Sequence, residues 1–514
     1  MECVLRCNPH PDVPSAAPSG VPRLLRLLVL VGLVCLLGCQ ERDAALGEGS
    51  LALHGCRVSG IDTEVRCGDL QVPEQRLPAV LKGGRMISIH VVVIPAIARG
   101  QHLDPIFVIA GGPGQAASST GAFVQPLFAR LNRERDIVLI DQRGTGESHP
   151  LKCEAKDERE AFAEDLDPKS TVALFAHCAA DLEAQGNDLT QYTTAIAVAD
   201  FDAVRAALGY RMINLWGVSY GTRVELEYLR QFGPTVRSAV LDGVAPANMK
   251  LPISFAFDAE AALDNVIADC RTDVVCNARR PNLGARIDGL FARLAQDPIR
   301  TSVRLPRSGR DQTVEVSRSM LSSWVRAPLY SPVTASLIPS LVMDAAAGDF
   351  SPFAAASEAV TGELAGGISF GMHLSVVCSE DMTLVTPGDI ASLENTRFGE
   401  SFFDEYRDLC ARWPVGRMPP HYFDAVTSDV PVLLLSGGLD PATPPRYAEK
   451  VAATLAHARS LVAPNLGHGV SPQGCAPELI ERFIRSADPA AIDGKCLLDI
   501  PRPPFFAPLA DPHS

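Results

Sequence analysis

The strongest constraint on how this chain can fold is a series of short apolar runs, each ending in a glycine-rich or acidic loop. They read "MISIHVVVIP" (86–95), "PIFVIAGGPG" (105–114), "DIVLIDQRGTGES" (136–148), "MINLWGVSYG" (212–221), "SAVLDGVAP" (238–246), "VPVLLLSGGLD" (430–440) and "SLVAPNLGHG" (460–469). Runs of this kind suit strands buried on both faces, as in a parallel sheet. Between them lie "AVADFDAVRAALG" (197–209) and "TRVELEYLRQF" (222–232), whose apolar residues recur at three- and four-residue steps, the spacing of one helix face. Strand–helix alternation predicts an open α/β sheet. From 247 to 428 the series stops. "FDAEAALDNVIADC" and "ARIDGLFARLAQ" read as helices there, which predicts a mainly helical lobe inserted between a first core part, 40–246, and a second, 429–514. With 514 residues, 47% of them hydrophobic, the chain can supply one large core with such an insertion. The Pro-rich tail "IPRPPFFAPLADPHS" is expected to run irregularly over the surface.

The N-terminus carries a different signal. Arg23 and Arg26 precede the apolar run "LLVLVGLVCLLG", which stops just before Cys39, giving the charged region and short hydrophobic region of an export signal. The run is too short to span a bilayer comfortably, which takes about 20 apolar residues. Gly38 and Cys39 complete "LLGC", which resembles the bacterial lipobox, where the cysteine is lipidated and becomes the mature N-terminus. A plain secretory signal is the alternative. Residues 1–20 lie upstream of the signal, with Val21 as the expected start. The expected location is therefore the bacterial periplasm or cell envelope, with a lipid anchor at Cys39.

Cysteine usage agrees with export. Four of the 14 cysteines lie at or before Cys39; the other ten are Cys56, Cys67, Cys153, Cys178, Cys270, Cys276, Cys378, Cys410, Cys475 and Cys496. None forms a CxxC pair, so zinc and thioredoxin-like readings are weak. Five disulfides between sequence neighbours, formed in an oxidising compartment, is the simple account. The formal net charge of −14 gives no overall basic footprint for nucleic acid.

Chemistry concentrates at "NLWGVSYGTRVE" (214–225). A serine hydroxyl is a poor nucleophile until a base takes its proton. A GxSxG stretch on a strand-to-helix turn exposes the serine, with glycines that let the backbone bend and pack closely. The pattern alone is weak, and the chain contains a second copy, "GISFG" (367–371), centred on Ser369. Context separates them. Ser219 has the strand-like "MINLW" before it and a helix-like segment after it. Ser369 follows the helix-like "AAASEAVTGELAG" and precedes "HLSVVC", which reads as a strand, so the order is inverted. Ser219 is the expected nucleophile.

Its partners should follow in the order acid, then histidine. Asp440 stands just beyond an apolar run, where open α/β sheets present functional groups. Alone, it could equally be a turn-forming Asp before Pro441. His468 lies in a glycine-flanked loop after the next run. His373, His421 and His457 compete for the base role, but none follows a strand this way. Oxyanion donors are expected from the amide of Tyr220 and from the "AGGPG" loop (110–114), most simply at Gly112, where no side chain blocks an approaching anion.

"GGPG", "DQRGTGES", "GVSYGT", "GGLDPATPP" and "GHG" appear in this order. Over roughly 86–500 the chain resembles the proline iminopeptidase and tripeptidyl aminopeptidase branch of the α/β-hydrolases, "GGPG" with "DQRG" being the most specific pair. The resemblance implies a mostly parallel eight-stranded sheet, a helical cap between the sixth and seventh strands, no metal or organic cofactor, a TAP-like C-terminal region, and Ser219, Asp440 and His468 as the triad. Proline iminopeptidases often have His before GGPG; here it is Ala110, which fits the secreted tripeptidyl-type branch better. An aminopeptidase must bind a substrate ammonium, and cap carboxylates are the expected partners. "VVCSEDM" offers Glu380 and Asp381 for this, with a solvated acidic turn as the other reading. Asp141 and Arg143 of "DQRG" are expected to brace the loops around the site.

The sequence thus predicts a serine exopeptidase that releases N-terminal residues, proline or tripeptide-type units, from short peptides. An esterase on the same fold and a non-catalytic envelope binding protein are the alternatives. Oligomeric state stays open.

Overall fold

The computed structural model describes residues 51–76, 84–98, 103–153, 168–304, 309–365 and 367–506. The signal segment and Cys39 lie outside these residues. Among these described residues nine strands form one sheet: β1 (His54–Cys56), β2 (Val65–Pro73), β3 (Met86–Ile94), β4 (Leu103–Ile109), β5 (Arg135–Ile140), β6 (Ile213–Val218), β7 (Val236–Asp242) and, after a hairpin of β8 (Ile299–Arg304) and β9 (Asp311–Val316) outside it, β10 (Val432–Gly437) and β11 (Ala458–Ala463). The order is β1-β2-β3-β5-β4-β6-β7-β10-β11. The pairs from β5 to β11 are parallel, and β1, β2 and β3 join antiparallel at one edge. The three-residue β1 extends the expected eight strands to nine.

The apolar runs build two cores at once. Phe107, Ile109, Val138, Ile140, Ala239, Leu241, Val432 and Leu434 face one cluster. Their sequence neighbours Ile106, Val108, Ile137, Leu139, Val240, Leu433 and Leu435 face another. A strand whose alternate side chains must both leave water reads as a continuous apolar run. Helices Thr194–Ala207 and Tyr220–Phe232 cover the first face through Val198, Phe201, Val224 and Leu229, and helix Ala476–Ser486 covers the second through Leu479, Ile480, Phe483 and Ile484. Burying each such side chain contributes roughly 1.5–3 kcal/mol before the entropy of ordering the chain is counted.

Between β7 and β10 the chain is mainly helical, with its own cluster built from helices Ile253–Thr272, Leu283–Gln296, Arg318–Arg326 and Ile338–Ala346. Two features differ from the sequence expectation. The β8–β9 hairpin interrupts the helices; its inward Val303, Val314 and Val316 alternate with polar residues, a period-2 pattern diluted by charge. "HLSVVC" is not a strand: it belongs to helix Phe370–Val376 and a π-turn at Val377–Asp381. This stretch packs on the sheet side, where Met372, Leu374, Val376, Leu409 and Trp413 join the cluster around Tyr192 and Tyr220.

The five disulfides are Cys56–Cys67, Cys153–Cys178, Cys270–Cys276, Cys378–Cys410 and Cys475–Cys496, each joining neighbours in sequence. Residues 500–506 of the tail form neither helix nor strand. Among the described residues no helix is long and apolar enough to cross a membrane.

Candidate active site

Ser219 joins β6 to helix Tyr220–Phe232 with φ 58° and ψ −126°. A non-glycine residue holds such a backbone only where its surroundings enforce it. Here a Cβ at Gly221 would run into the carbonyl of Ile109, and one at Gly217 would stand 2.9 Å from the carbonyl carbon of Gly221. The Ser219 amide donates to the Asp242 carbonyl at 2.9 Å, and the Ser219 carbonyl accepts from Thr222 Oγ1 at 2.6 Å. The side chain is thereby presented on a sharp strand–turn–helix. Ser369 has an ordinary backbone, φ −79° and ψ 97°, and is buried. Its amide donates to the Gly114 carbonyl at 2.9 Å, so the second GxSxG copy pins the GGPG loop.

Asp440 follows β10 and His468 follows β11. Asp440 Oδ2 lies 2.9 Å from His468 Nδ1. Asp440 Oδ1 accepts the amides of Ala442 and Thr443 at 2.8 and 2.9 Å, and Oδ2 also accepts Thr443 Oγ1 at 2.8 Å. Burial alone would raise the Asp440 pKa; the His468 ring and these donors outweigh it and hold the carboxyl below its usual range. Burial likewise opposes the His468 imidazolium, yet the Asp440 carboxylate raises the His468 pKa above its usual value. With Nδ1–H donated to Asp440, Nε2 is the free base nitrogen. The ring lies against Gly243, where an added Cβ would be 3.4 Å from Cε1, and Gly243 directly follows the residue that accepts the Ser219 amide. His468 N donates to the Tyr330 carbonyl at 2.9 Å, and the two rings meet edge-on at 5.2 Å.

The GGPG loop packs on the elbow: a Cβ at Gly111 would stand 3.3 Å from Ser219 Cβ. Gly112 has φ 108°, which a side chain would strain, and a Cβ there would come 2.7 Å from the Gly114 amide nitrogen. The Tyr220 amide opens its helix and has no intrahelical acceptor. The Tyr220 hydroxyl is fixed by Gln142 Nε2 at 3.0 Å and Thr194 Oγ1 at 2.7 Å.

Glu380 and Asp381 are not a solvated turn. Both are fully buried. Arg223 clamps Asp381 with two bonds of 2.9 Å and reaches Glu380 Oε2 at 3.3 Å. Glu380 also accepts Thr194 N at 2.7 Å, Thr194 Oγ1 at 2.9 Å and Tyr422 Oη at 2.6 Å. The acceptors proposed for a substrate ammonium are thus turned toward Arg223 and its neighbours. Through Thr194, which donates to Glu380 and accepts from Tyr220, the cluster steadies the nucleophile helix. Arg143 is likewise structural: it binds Asp200 through Nε at 2.6 Å and Nη2 at 2.9 Å, and the Glu74 and Gln191 carbonyls at 2.7 and 3.1 Å. Asp141 accepts Ser118 N, Ser118 Oγ and Glu147 N at 2.8, 2.9 and 3.1 Å.

Three residues near the site were not singled out from sequence for the roles they fill. Asp242, at the end of β7, accepts the amides of Val470 and Ser471 at 2.9 and 2.6 Å and so holds the loop that carries His468. Its signal was available: "SAVLD" ends in an acid as "LLLSGGLD" does. Thr443 bridges Asp440 and His468, the latter at 3.1 Å. His373, weighed as a rival base, places Nδ1 3.0 Å from the Pro113 carbonyl and Nε2 2.7 Å from Tyr406 Oη. It therefore braces the GGPG loop. His421 is exposed beside Asp424.

Two family profiles match this chain: one described as alpha/beta hydrolase fold over residues 104–351, the other as TAP-like protein over residues 395–496. The chain belongs to the α/β-hydrolases, in their TAP-like branch. The fold and the relatives below support a serine hydrolase. A tripeptidyl aminopeptidase from Streptomyces coelicolor is 25% identical over 498 residues, 89% of this chain and 88% of that protein. The serine protease Hip1 of Mycobacterium tuberculosis is 27% identical over 272 residues, 48% of this chain, and the match spans only 51% of Hip1. Carboxylesterase B of the same organism is 28% identical over 431 residues, 76% of this chain and 79% of that protein.

Proposed function

We propose that the protein is a serine exopeptidase that releases proline or short tripeptide-type units from the free N-terminus of peptides. The observation that carries the reading is the 2.9 Å His468–Asp440 contact beside the strained Ser219 turn. His468 Nε2 takes the Ser219 proton as Oγ attacks the scissile carbonyl carbon. Asp440 fixes the ring so that Nδ1–H points away from the serine, and it stabilises the imidazolium. The amides of Tyr220 and Gly112 receive the oxyanion. The imidazolium then protonates the leaving amine, the C–N bond breaks, and an ester to Ser219 remains. Water, deprotonated by His468, attacks that ester and releases the N-terminal unit as a free acid.

The tripeptidyl aminopeptidase relative, matched over most of both chains, supports peptides as substrates. The Carboxylesterase B relative supports an ester substrate instead. Kinetics separate the two. The peptidase reading expects Ser219-dependent cleavage of free-amine peptides that stops when the amine is acetylated. Equal turnover of blocked and free substrates, or of simple acyl esters alone, would favour the esterase. Peptide cleavage that survives Ser219→Ala would end both.

We further propose export and a lipid anchor at Cys39. The five disulfides support an oxidising compartment. Metabolic labelling with a palmitate analogue, lost in Cys39→Ala, checks the anchor; retention of label would refute it.

A further inference from the structure

Arg326 ends a cap helix and stands over three aromatic rings, 3.8 Å from the centroid of Phe255, 5.0 Å from Tyr330 and 5.7 Å from Phe402. Its Nη2 donates to Tyr330 Oη at 2.5 Å. Nε is buried without a partner, and no carboxylate of the described residues pairs with the guanidinium. The surrounding charges are matched elsewhere: Asp258 by Arg446, Asp381 by Arg223, and Asp440 by His468. A half-buried cation without an anion is costly, and stacking on rings offsets only part of that cost.

Its position gives this a use. Tyr330, which Arg326 holds by the hydroxyl, contacts His468 through both carbonyl and ring. The Arg326 charge also bears on the ionisation of Tyr406, which bonds His373 and through it the GGPG loop. Arg326 is therefore one residue, Tyr330, removed from the base, at the end of a helix of the inserted lobe. A planar guanidinium with unused donors matches a carboxylate. We propose that Arg326 binds a carboxylate of the substrate and makes the enzyme selective for peptides that carry one near the scissile bond. The inference rests on the serine exopeptidase reading. It also answers an electrostatic conflict: the Arg326 charge disfavours the His468 imidazolium, and a bound carboxylate would cancel that effect during proton transfer.

The carboxylate has two sources, an acidic side chain or the C-terminus of a short peptide. One set of free-amine peptides compares C-terminal acids with amides. A second set, all amidated, compares Glu with Gln at each position in turn. In one of the sets the wild type should favour the carboxylate by ~10- to 100-fold in kcat/KM, the range for a charged hydrogen-bonded contact. Arg326→Gln should collapse that ratio, and Arg326→Lys, which keeps the charge and loses the fork, should keep part of it. The lysine variant also serves if the glutamine variant fails to fold. Ser219-dependent turnover with no preference in either set, or a preference that survives loss of the guanidinium, overturns the inference and leaves the exopeptidase reading standing. Absence of both Ser219-dependent turnover and fluorophosphonate labelling overturns that reading, and the inference falls with it.

Discussion

His373 Nδ1 lies 3.0 Å from the Pro113 carbonyl, so a partly buried imidazole holds the loop that packs against Ser219. Burial lowers the His373 pKa, which keeps the ring neutral, donating at Nδ1 and accepting the Tyr406 hydroxyl at Nε2. His373→Leu should lower kcat by ~10- to 100-fold, less than the loss of an oxyanion donor itself, with a smaller change in KM. Steady-state kinetics on the variant decides it; an unchanged kcat would remove His373 from the loop's support. Because the folded pKa is depressed, its share of stability should also fade as pH drops below about 6.5.

Asp440 raises the His468 pKa while its own is held down. As base, His468 must be neutral, so kcat/KM should rise with pH through an inflection above the usual histidine value. Asp440→Asn should move that inflection down and reduce kcat by ~10⁴-fold. A pH–rate profile of both proteins gives the comparison, and an inflection that does not move would disconnect Asp440 from the base.

Arg223 is the counter-charge for two buried carboxylates. Arg223→Met should destabilise the protein by about 3–5 kcal/mol, because it strands both acids. Urea unfolding measures this. A loss below about 1 kcal/mol would mean that the cluster is open to water.

Glu225 is fully buried and neither carboxyl oxygen has a hydrogen-bond partner among the described residues. Burial raises its pKa well above the usual value, so the folded protein holds it protonated. The unfolded chain releases that proton above about pH 4.3, so this group lowers stability as pH rises from there. Glu225→Gln should be more stable than wild type at pH 8, with the gap closing toward pH 4. Parallel stability–pH curves for the two proteins would contradict the assignment.

What the sequence made legible was whatever chain-local pattern encodes. A strand buried on both faces is a solid apolar run, so β4, β5, β6, β7 and β10 stood out, and the acid and base were found as residues just past such runs. The β8–β9 hairpin was missed because Thr301 and Gln312 dilute its inward face and its outer face is charged and solvated. "HLSVVC" is apolar at four of its six positions because the helix it forms is buried nearly all round, and a short buried helix and a buried strand look alike in sequence. The fates of Glu380, Asp381 and His373 were out of reach for a different reason. Their partners Arg223 and Pro113 are more than 150 residues away. An acidic pair reads as solvated until the cation that accompanies it into the interior is known.

The connectivity of the cysteines has a consequence for biogenesis. The bridges span 11, 25, 6, 32 and 21 residues, and each closes before the first cysteine of the next begins. A chain threaded through a translocation pore N-terminus first can oxidise each pair as it emerges. No half-formed bridge has to wait for a distant thiol, and joining consecutive cysteines never has to be undone. For the exported chain proposed above, maturation then needs an oxidant alone and places no demand on a disulfide isomerase.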